Sequence, residues 1–239
     1  IPWDDDIDLA MLRDDYDKLI NLPPETFAPY FMQTAYSDVN YVRGHAQLRD
    51  SNSTAILLAD KEQKFNQGIF VDIFVYDAVP SNKLAFYWQK LKVRVLKALM
   101  YKRFYTEIPN KLSLFRKIIL AIVICIAKMM AIIVSHKTLY RKFEESFKKY
   151  KIVDNSFVSS NAFNFENMPK IIRKKEVYSE TILMDFEWIK IPIPIGYDSI
   201  LTNQYGNYMV PVKAPTMHGG NIIFDANRSY LDVLRELKR

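Results

Sequence analysis

Residues 3–11 read WDDDIDLAM, which places four aspartates within five positions of the chain. Neighbouring carboxylates repel one another and are depleted in strands, so a fold that keeps them beside apolar residues must compensate their charge, most simply with a divalent cation. In an extended segment Asp4, Asp6 and Asp8 would share one face, about 6.5 Å apart, with Asp5 on the other. That spacing suits a hard cation. The alternative, a solvated acidic loop or a helix N-terminus, is favoured only for Asp5.

A second acid lies in an apolar stretch. Residues 68–77 read GIFVDIFVYD, and their length and β-branched content predict a buried strand that carries Asp72. An unpaired buried carboxylate is costly, so we expect this strand to lie beside the first acidic segment, with Asp72 completing a set of metal ligands. Asp77, near the end of the strand, is predicted to be a turn residue.

The predicted metal ligands are Asp4, Asp6, Asp8 and Asp72. A set of carboxylates without His or Cys suits Mg²⁺ or Mn²⁺ holding phosphates, whereas Zn²⁺ usually takes nitrogen or sulfur ligands. Such a site supports phosphoryl or nucleotidyl-type transfer, in which a carboxylate takes the proton of the attacking hydroxyl. We therefore expect catalytic roles for Asp6, Asp8 and Asp72, and the last two are the candidate bases.

Four further residues are candidates for contact with substrate. Arg49 could clamp a donor phosphate, and an ordinary surface arginine is the alternative. His45 and His218 could transfer a proton or contact phosphate, because histidine titrates near neutral pH, although a lone histidine is more often structural. Tyr205 could line an acceptor groove or hold choline through a cation–π contact.

Other chemistries find no support in the sequence. Cys125 is the single cysteine, which excludes intrachain disulfides and sites of several thiolates and indicates a reducing compartment. We find no Ser-His-Asp or Cys-His spacing, no Walker-type phosphate loop and no dinucleotide fingerprint. The chain opens without an initiator methionine or a signal segment, so we expect it to be part of a longer protein that has further core residues upstream.

Charge divides the chain into regions. Residues 83–151 hold 17 Lys and Arg against three acids, a net charge of +14, while the rest holds 16 basic and 24 acidic residues, a net charge of −8. The basic region is helical in pattern, and both flanks mix short β-like runs with helices. We therefore predict an α+β protein whose catalytic core comprises residues 1–82 and 152–239, the latter ending in a helix, with a helical insertion at 83–151.

Two helices are predicted in this insertion. Apolar residues at helical spacing over 84–99 indicate a basic amphipathic helix, and residues 118–134 form an apolar run interrupted by Lys128. Because a bilayer span needs about 20 apolar residues, we predict no spanning helix. Burial under neighbouring elements and attachment to an anionic membrane surface both stay open for this run. Nucleic acid is not an expected partner, because no binding module accompanies the charge.

Taken together, these segments resemble the LicD family of phosphocholine transferases, relatives of fukutin and fukutin-related protein in the nucleotidyltransferase superfamily. The matching pieces are residues 1–11 with Arg13 and Tyr16, residues 47–49 with Thr54, residues 68–77, and residues 205–209 with Pro211 and His218.

The resemblance implies a nucleotidyltransferase-like mixed-sheet core. It also implies transfer of phosphocholine, or a related phospho-alcohol, from a CDP-linked donor such as CDP-choline to a hydroxyl of a cell-surface glycan, as in lipopolysaccharide or teichoic acid modification. The family's metal carboxylates correspond to Asp4, Asp6, Asp8 and Asp72. Three features differ from the family: its Gly-rich phosphate-binding segment would lie before residue 1, Val75 replaces a usual Pro, and Gln47 replaces a frequent Lys.

The main hypothesis is thus a Mg²⁺- or Mn²⁺-dependent phosphotransferase that acts on a glycan or its lipid-linked precursor. We expect it in the cytoplasm, associated with the inner face of the cytoplasmic membrane through residues 83–151. One alternative is a glycosyltransferase that holds a nucleotide sugar with an Asp-x-Asp metal site. The other is a non-catalytic membrane-associated protein whose acids bind Ca²⁺.

Overall fold

A computed structural model describes residues 7–38, 40–160, 172–211 and 221–237. The helices are α1 (Arg13–Ile20), α2 (Lys83–Lys102), α3 (Leu114–Ile133), α4 (His136–Lys148), α5 (Tyr197–Tyr205) and α6 (Tyr230–Leu237). The strands are β1 (Asp8–Leu12), β2 (Phe31–Gln33), β3 (Ala46–Asp50), β4 (Thr54–Leu57), β5 (Ile69–Ala78), β6 (Phe157–Ser160), β7 (Arg173–Lys174), β8 (Thr181–Phe186), β9 (Ile189–Pro194) and β10 (Ile222–Asp225). The predicted α+β class is confirmed.

Strand β5 is the centre of the main sheet. β1 pairs with it in parallel, β3 and β6 pair with it antiparallel, and β2 and β7 extend the sheet beyond β3 and β6. Residues 72 and 73 pair with both β1 and β3, so these two strands lie on opposite edges of β5. The expectation that the acidic segment lies beside the strand of Asp72 is confirmed. β4 with β10, and β8 with β9, form separate antiparallel pairs.

One face of the main sheet is apolar and packs on α1. The buried side chains of this core are Tyr16, Met32, Ala46, Ile73 and Val75. Because side chains alternate along a strand, Asp72 and its even-numbered neighbours on β5 face the other way. Gly68, just before β5, lies close to the backbone of Asp50 at the end of β3. A Cβ atom at position 68 would lie 1.9 Å from the Asp50 carbonyl oxygen, so any larger residue would push β5 away from β3.

A second core joins α2 and α4 to loops near the sheet. Its buried side chains are Ala35, Tyr41, Phe65, Val93, Met100, Leu139, Tyr140, Phe143 and Phe147. Asn82 caps α2 by accepting hydrogen bonds from the Leu84 and Ala85 amides, and Ser135 caps α4 in the same way. Two helices of the basic region therefore pack into the protein, while the division into core and insertion stays a prediction.

Helix α3 is mostly exposed. Among its residues only Ile124 and Ala127 are buried, so the interpretation of a helix covered by its neighbours is wrong. In the described ranges, no helix is by itself long and apolar enough to cross a bilayer. α3 and α4 together are long and apolar enough to do so, but the chain bends by 110° between them.

Candidate functional site

Asp8 and Asp72 lie directly opposite each other on the parallel strands β1 and β5. Gln47 of β3 faces Asp72 from the other edge, and Gln33 of β2 faces Gln47. Side chains in register on neighbouring strands point to the same face, so these four residues form a polar row across the sheet, opposite the α1 core. The structure thus brings together two of the predicted catalytic residues, while Asp4 and Asp6 lie outside the described residues.

Asp72 accepts hydrogen bonds from two neutral side chains, Gln47 in the polar row and His45 just before β3. His45 Nε2 lies 3.0 Å from Asp72 Oδ1, and Gln47 Nε2 donates to the same oxygen at 2.6 Å. Among the described residues, Asp72 Oδ2 accepts no hydrogen bond. Burial would raise the pKa of Asp72, but the hydrogen bonds from His45 and Gln47, together with the electrostatic effects of His45 and Arg43, outweigh burial, and the pKa lies below its usual value. Asp72 is therefore an ionised carboxylate with one anchored oxygen.

His45 acts in this structure as a donor to Asp72. Burial lowers the pKa of His45, although the hydrogen bond to Asp72 opposes that shift, so the imidazole is neutral and carries its proton on Nε2. The ring packs against Phe74 with centroids 4.5 Å apart. Nδ1 is buried and has no partner within the described ranges. Proton transfer to substrate and phosphate contact by His45 stay predictions.

Arg49 is a buried support of the polar row, only 2% exposed. Its Nε donates to Gln33 Oε1 at 2.7 Å, its Nη2 donates to Gln47 Oε1 at 2.5 Å, and its Nη1 donates to a backbone carbonyl. Because Arg49 binds the oxygen of the Gln47 amide, the amide nitrogen is turned toward Asp72. The alternative of an ordinary surface arginine is wrong, and a direct contact with a donor phosphate stays a prediction.

The fit of a divalent cation can be judged on Asp8 and Asp72. The two carboxylates stand in register on adjacent strands, and hydrogen bonds anchor Asp72 through one oxygen only. Oxygen ligands of this kind suit Mg²⁺ or Mn²⁺. In the part of the chain that the structure describes, no group of three or more His, Cys, Asp or Glu residues could hold a metal. The described residues fit half of the predicted ligand set, and the other half is Asp4 and Asp6.

Asp77 is a buried strand residue, so its prediction as a turn residue is wrong. It lies on the opposite face of β5 from Asp72, where Arg13 Nε and Nη2 donate to its two oxygens at 2.7 and 2.6 Å. Arg13 Nη1 also donates to Glu144 of α4 at 3.1 Å, and Tyr36 donates its hydroxyl proton to Glu144. This ion cluster, made of Arg13, Asp77, Glu144 and Tyr36, joins α1, β5 and α4.

The remaining predicted substrate contacts lie elsewhere or are not described. Tyr205 ends α5, is 40% exposed, and accepts a hydrogen bond from Gln204 Nε2. The structure does not place Tyr205 in the polar row, and His218 lies outside the described residues. Their roles toward substrate stay predictions.

The role of Gln47 was missed from the sequence, and so was the pairing of His45 with Asp72. A signal was present, because polar residues at 45, 47 and 49 alternate with Ala46 and Leu48. This period of two is typical of a strand with one polar face, and it could have placed His45, Gln47 and Arg49 on one side of β3.

Comparison with known proteins finds a relative that is similar over most of the chain. The lipopolysaccharide cholinephosphotransferase LicD of Haemophilus influenzae is 28% identical to this chain over 215 residues, which cover 87% of this chain and 75% of that protein. No family model matches the chain, and no solved structure matches it. The likeness extends over most of the chain and agrees with the family that the acidic motif and the strand of Asp72 predict. The resemblance to the LicD family is confirmed.

Proposed function

We propose that this chain transfers phosphocholine, or a related phospho-alcohol, from a CDP-linked donor to a hydroxyl of a cell-surface glycan or its lipid-linked precursor. The observation that carries the proposal is the register of Asp8 with Asp72 on adjacent parallel strands, in a chain that resembles the LicD family. The relative is named a lipopolysaccharide cholinephosphotransferase, so CDP-choline and a lipopolysaccharide-type glycan are the first donor and acceptor to test.

The proposed core is nucleotidyltransferase-like. The support is a mixed sheet in which β5 pairs in parallel with β1 and antiparallel with β3, so that acids and their donors meet on one face. The proposed cofactor is Mg²⁺ or Mn²⁺, held by Asp8 and Asp72 together with Asp4 and Asp6. When bound, such a cation neutralises the phosphate oxygens of the donor.

The surroundings of Asp72 favour a role as a ligand. Its hydrogen-bond donors, His45 and Gln47, are neutral, and among the described residues no Lys or Arg forms an ion pair with it. Its negative charge is therefore oriented without a direct ion pair to Lys or Arg, although Arg43 acts on it from further away, and we propose that it attracts an external cation. Arg49 in turn donates a hydrogen bond to Gln47, so both side chains help to hold the Asp72 carboxylate in its orientation.

The proposed reaction is a substitution at the phosphorus atom that carries choline, with no change of oxidation state. The acceptor oxygen forms a bond to the phosphorus that carries choline, and the bond from that phosphorus to the bridging oxygen of the pyrophosphate breaks. CMP leaves with the bridging oxygen. The proton of the acceptor hydroxyl passes to a carboxylate, for which Asp8 and Asp72 are the proposed acceptors.

The test is a donor panel with Mg²⁺ or Mn²⁺ and CDP-choline, CDP-ethanolamine, CDP-ribitol, UDP-sugars or GDP-sugars. We expect a metal-dependent rise in melting temperature with one of the CDP-alcohols and no rise with the nucleotide sugars, because a ligand that binds the native state stabilises it by mass action. When a glycan acceptor is added, the same CDP-alcohol should release CMP. Asp8→Asn should lose both effects, while the matched variant Asp14→Asn, in the exposed first turn of α1, should keep them.

Two results would contradict this function. Sugar transfer from a nucleotide sugar would assign the site to a glycosyltransferase. Stabilisation by Ca²⁺ equal to that by Mn²⁺, with no donor consumed, would indicate a binding protein.

A further inference from the structure

The outer face of α3 carries a long apolar stripe. Its side chains recur every three or four residues and are between 40% and 85% exposed: Phe115, Ile118, Ile122, Ile126, Met129 and Ile133. The opposite side of the helix holds the buried residues Ile124 and Ala127 and packs against α2. Single exposed apolar residues are normal on a protein surface, but a contiguous stripe of this length marks a contact surface.

Helix α2 repeats this arrangement. Leu84, Trp88, Leu91 and Val95 are about half to two-thirds exposed, while Val93 and Met100 are buried on the other side of the helix. The apolar spacing that predicted an amphipathic helix therefore belongs to the solvent-facing side. Trp88 adds a side chain type that concentrates at membrane–water interfaces.

The charge of this region is almost entirely positive. Residues 83–151 contain 17 Lys and Arg and three acids, and one of the acids, Glu144, is buried against Arg13. Glu107 and Glu145 are thus the exposed acids of the region. Cations also flank the stripe, with Arg116 and Lys117 at the start of α3 and Lys137 after its end.

We propose that the outward faces of α2 and α3 bind an anionic lipid bilayer, with α3 lying in the plane of the interface. An amphipathic helix whose apolar face is flanked by Lys and Arg binds this way, through apolar burial plus attraction to acidic headgroups. α3 lies in the interface because its other side is held against α2 through Ile124 and Ala127.

Charge also decides against two other occupants. A symmetric dimer brings the same patch of two copies together, so the strongly cationic region would face itself and repel. A nucleic acid would complement the positive charge, but the apolar stripe from Phe115 to Ile133 would then lie against a charged phosphate backbone. An anionic bilayer complements both the positive charge and the apolar stripe.

The chain contains a natural probe for this contact. Cys125 is the single cysteine and is exposed on α3. An environment-sensitive NBD fluorophore on Cys125 should brighten and shift to the blue when the full chain meets vesicles of phosphatidylglycerol and phosphatidylcholine. Pure phosphatidylcholine vesicles should give a weak response, and added salt should reduce the response to the acidic vesicles.

Variants distinguish membrane binding through the α3 stripe from nonspecific adsorption of the protein to vesicles. Ile122→Glu combined with Met129→Glu should weaken binding to the acidic vesicles in flotation by about a hundredfold or more, because each of the two buried aliphatic side chains is worth at least about tenfold in partition. The matched control is Leu183→Glu with Met184→Glu, which changes equally exposed apolar residues on β8 and should float like the wild type. Arg116→Glu with Lys117→Glu should weaken flotation through charge alone.

Four outcomes overturn the proposal: no flotation of the wild type, equal flotation of the stripe variant, binding to neutral vesicles as strong as to acidic ones, or a lipid-free dimer that the stripe variant dissociates. The last result would assign the stripe to a second copy of the chain. Circular dichroism of each variant checks the fold. Flotation needs neither donor nor acceptor, so its failure would leave the proposed reaction standing, and failure of the reaction would leave the membrane contact standing.

Discussion

Asp72 and Asp77 lie five residues apart on β5 and illustrate two uses of a carboxylate. The Asp77 side chain is 3% exposed and both its oxygens accept from Arg13, with Glu144 completing the ion cluster. The Asp72 side chain is 19% exposed, accepts from neutral His45 and Gln47 on one oxygen, and stands opposite the exposed Asp8.

The difference lies in what compensates the charge. At Asp77 the protein supplies its own cation, and the pair closes a contact between α1, β5 and α4. At Asp72 the protein supplies hydrogen bonds and the more distant charge of Arg43 but no direct ion pair with Lys or Arg among the described residues, which is the basis for proposing an external cation there. The same strand therefore carries a structural acid on one face and, on the other, the acid that we propose as a metal ligand.

The largest expected effect is the loss of activity in Asp72→Asn. Replacing the carboxylate by an amide removes the charge that attracts the cation but keeps the shape, so we expect CMP release to fall about a thousandfold or more with little change in stability. Urea unfolding checks the stability. Asp77→Asn should behave in the reverse manner, with a marked loss of stability and with activity retained by the molecules that are still folded. If Asp77→Asn is the more damaging to turnover per folded molecule, the division between the two acids fails.

The second effect concerns the ion cluster. Arg13→Met leaves Asp77 buried without its cation and leaves Glu144 only the longer ion pair with Lys148 at 3.9 Å, so we expect the free energy of unfolding to fall by about 3–5 kcal/mol. Arg235→Met is the matched control, because Arg235 forms an exposed pair with Asp232 on α6, and it should change stability by less than about 1 kcal/mol. Urea denaturation of both variants measures the difference. A small effect of Arg13→Met would show that the cluster does not hold the helices on the sheet.

Much of the fold around the site follows from local patterns. The acidic segment and the strand of Asp72 are predicted as neighbours because a shared metal is the simplest explanation of an acid in an apolar strand, and the pairing of β1 with β5 confirms that they are adjacent. The Arg13–Asp77 pair could not be predicted in this way, because the two residues are 64 positions apart and nothing local shows that they meet.

The exposed face of α2 was the hardest feature to predict. Apolar periodicity shows that residues such as Trp88 share a face, but it does not say whether protein or another surface covers that face. In α2 the opposite side, with Gln89 and Val93, is the buried one, and Gln89 donates to the Ser146 carbonyl of α4. The buried face of α2 is held by this hydrogen bond and by apolar packing against α4, and both are tertiary contacts.

The third effect tests whether orientation matters at Asp72. His45→Leu removes one of its two donors, and we expect Mn²⁺ affinity to fall about tenfold to hundredfold, as is typical when a hydrogen bond to a metal ligand is lost. His45→Gln is the matched variant, because its amide offers a donor of similar reach and should keep most of the affinity. Electron paramagnetic resonance of free Mn²⁺ measures binding without turnover. Equal affinities for Leu and Gln would mean that His45 only fills space beside Phe74.

The smallest expected effect concerns His136, a partly buried histidine at the start of α4. His136 donates from Nε2 to the Tyr41 carbonyl, and burial lowers its pKa although that hydrogen bond opposes the shift. Below its usual pKa of about 6.5 the unfolded chain takes up a proton that the folded chain resists, so the free energy of unfolding should fall as the pH drops below that value. His136→Gln keeps a donor for Tyr41 but cannot titrate, so its decline between pH 7 and pH 5 should be shallower, with His45 supplying the rest. Urea unfolding at both pH values measures the two declines, and equal slopes would show that His136 is not held in its neutral form by the fold.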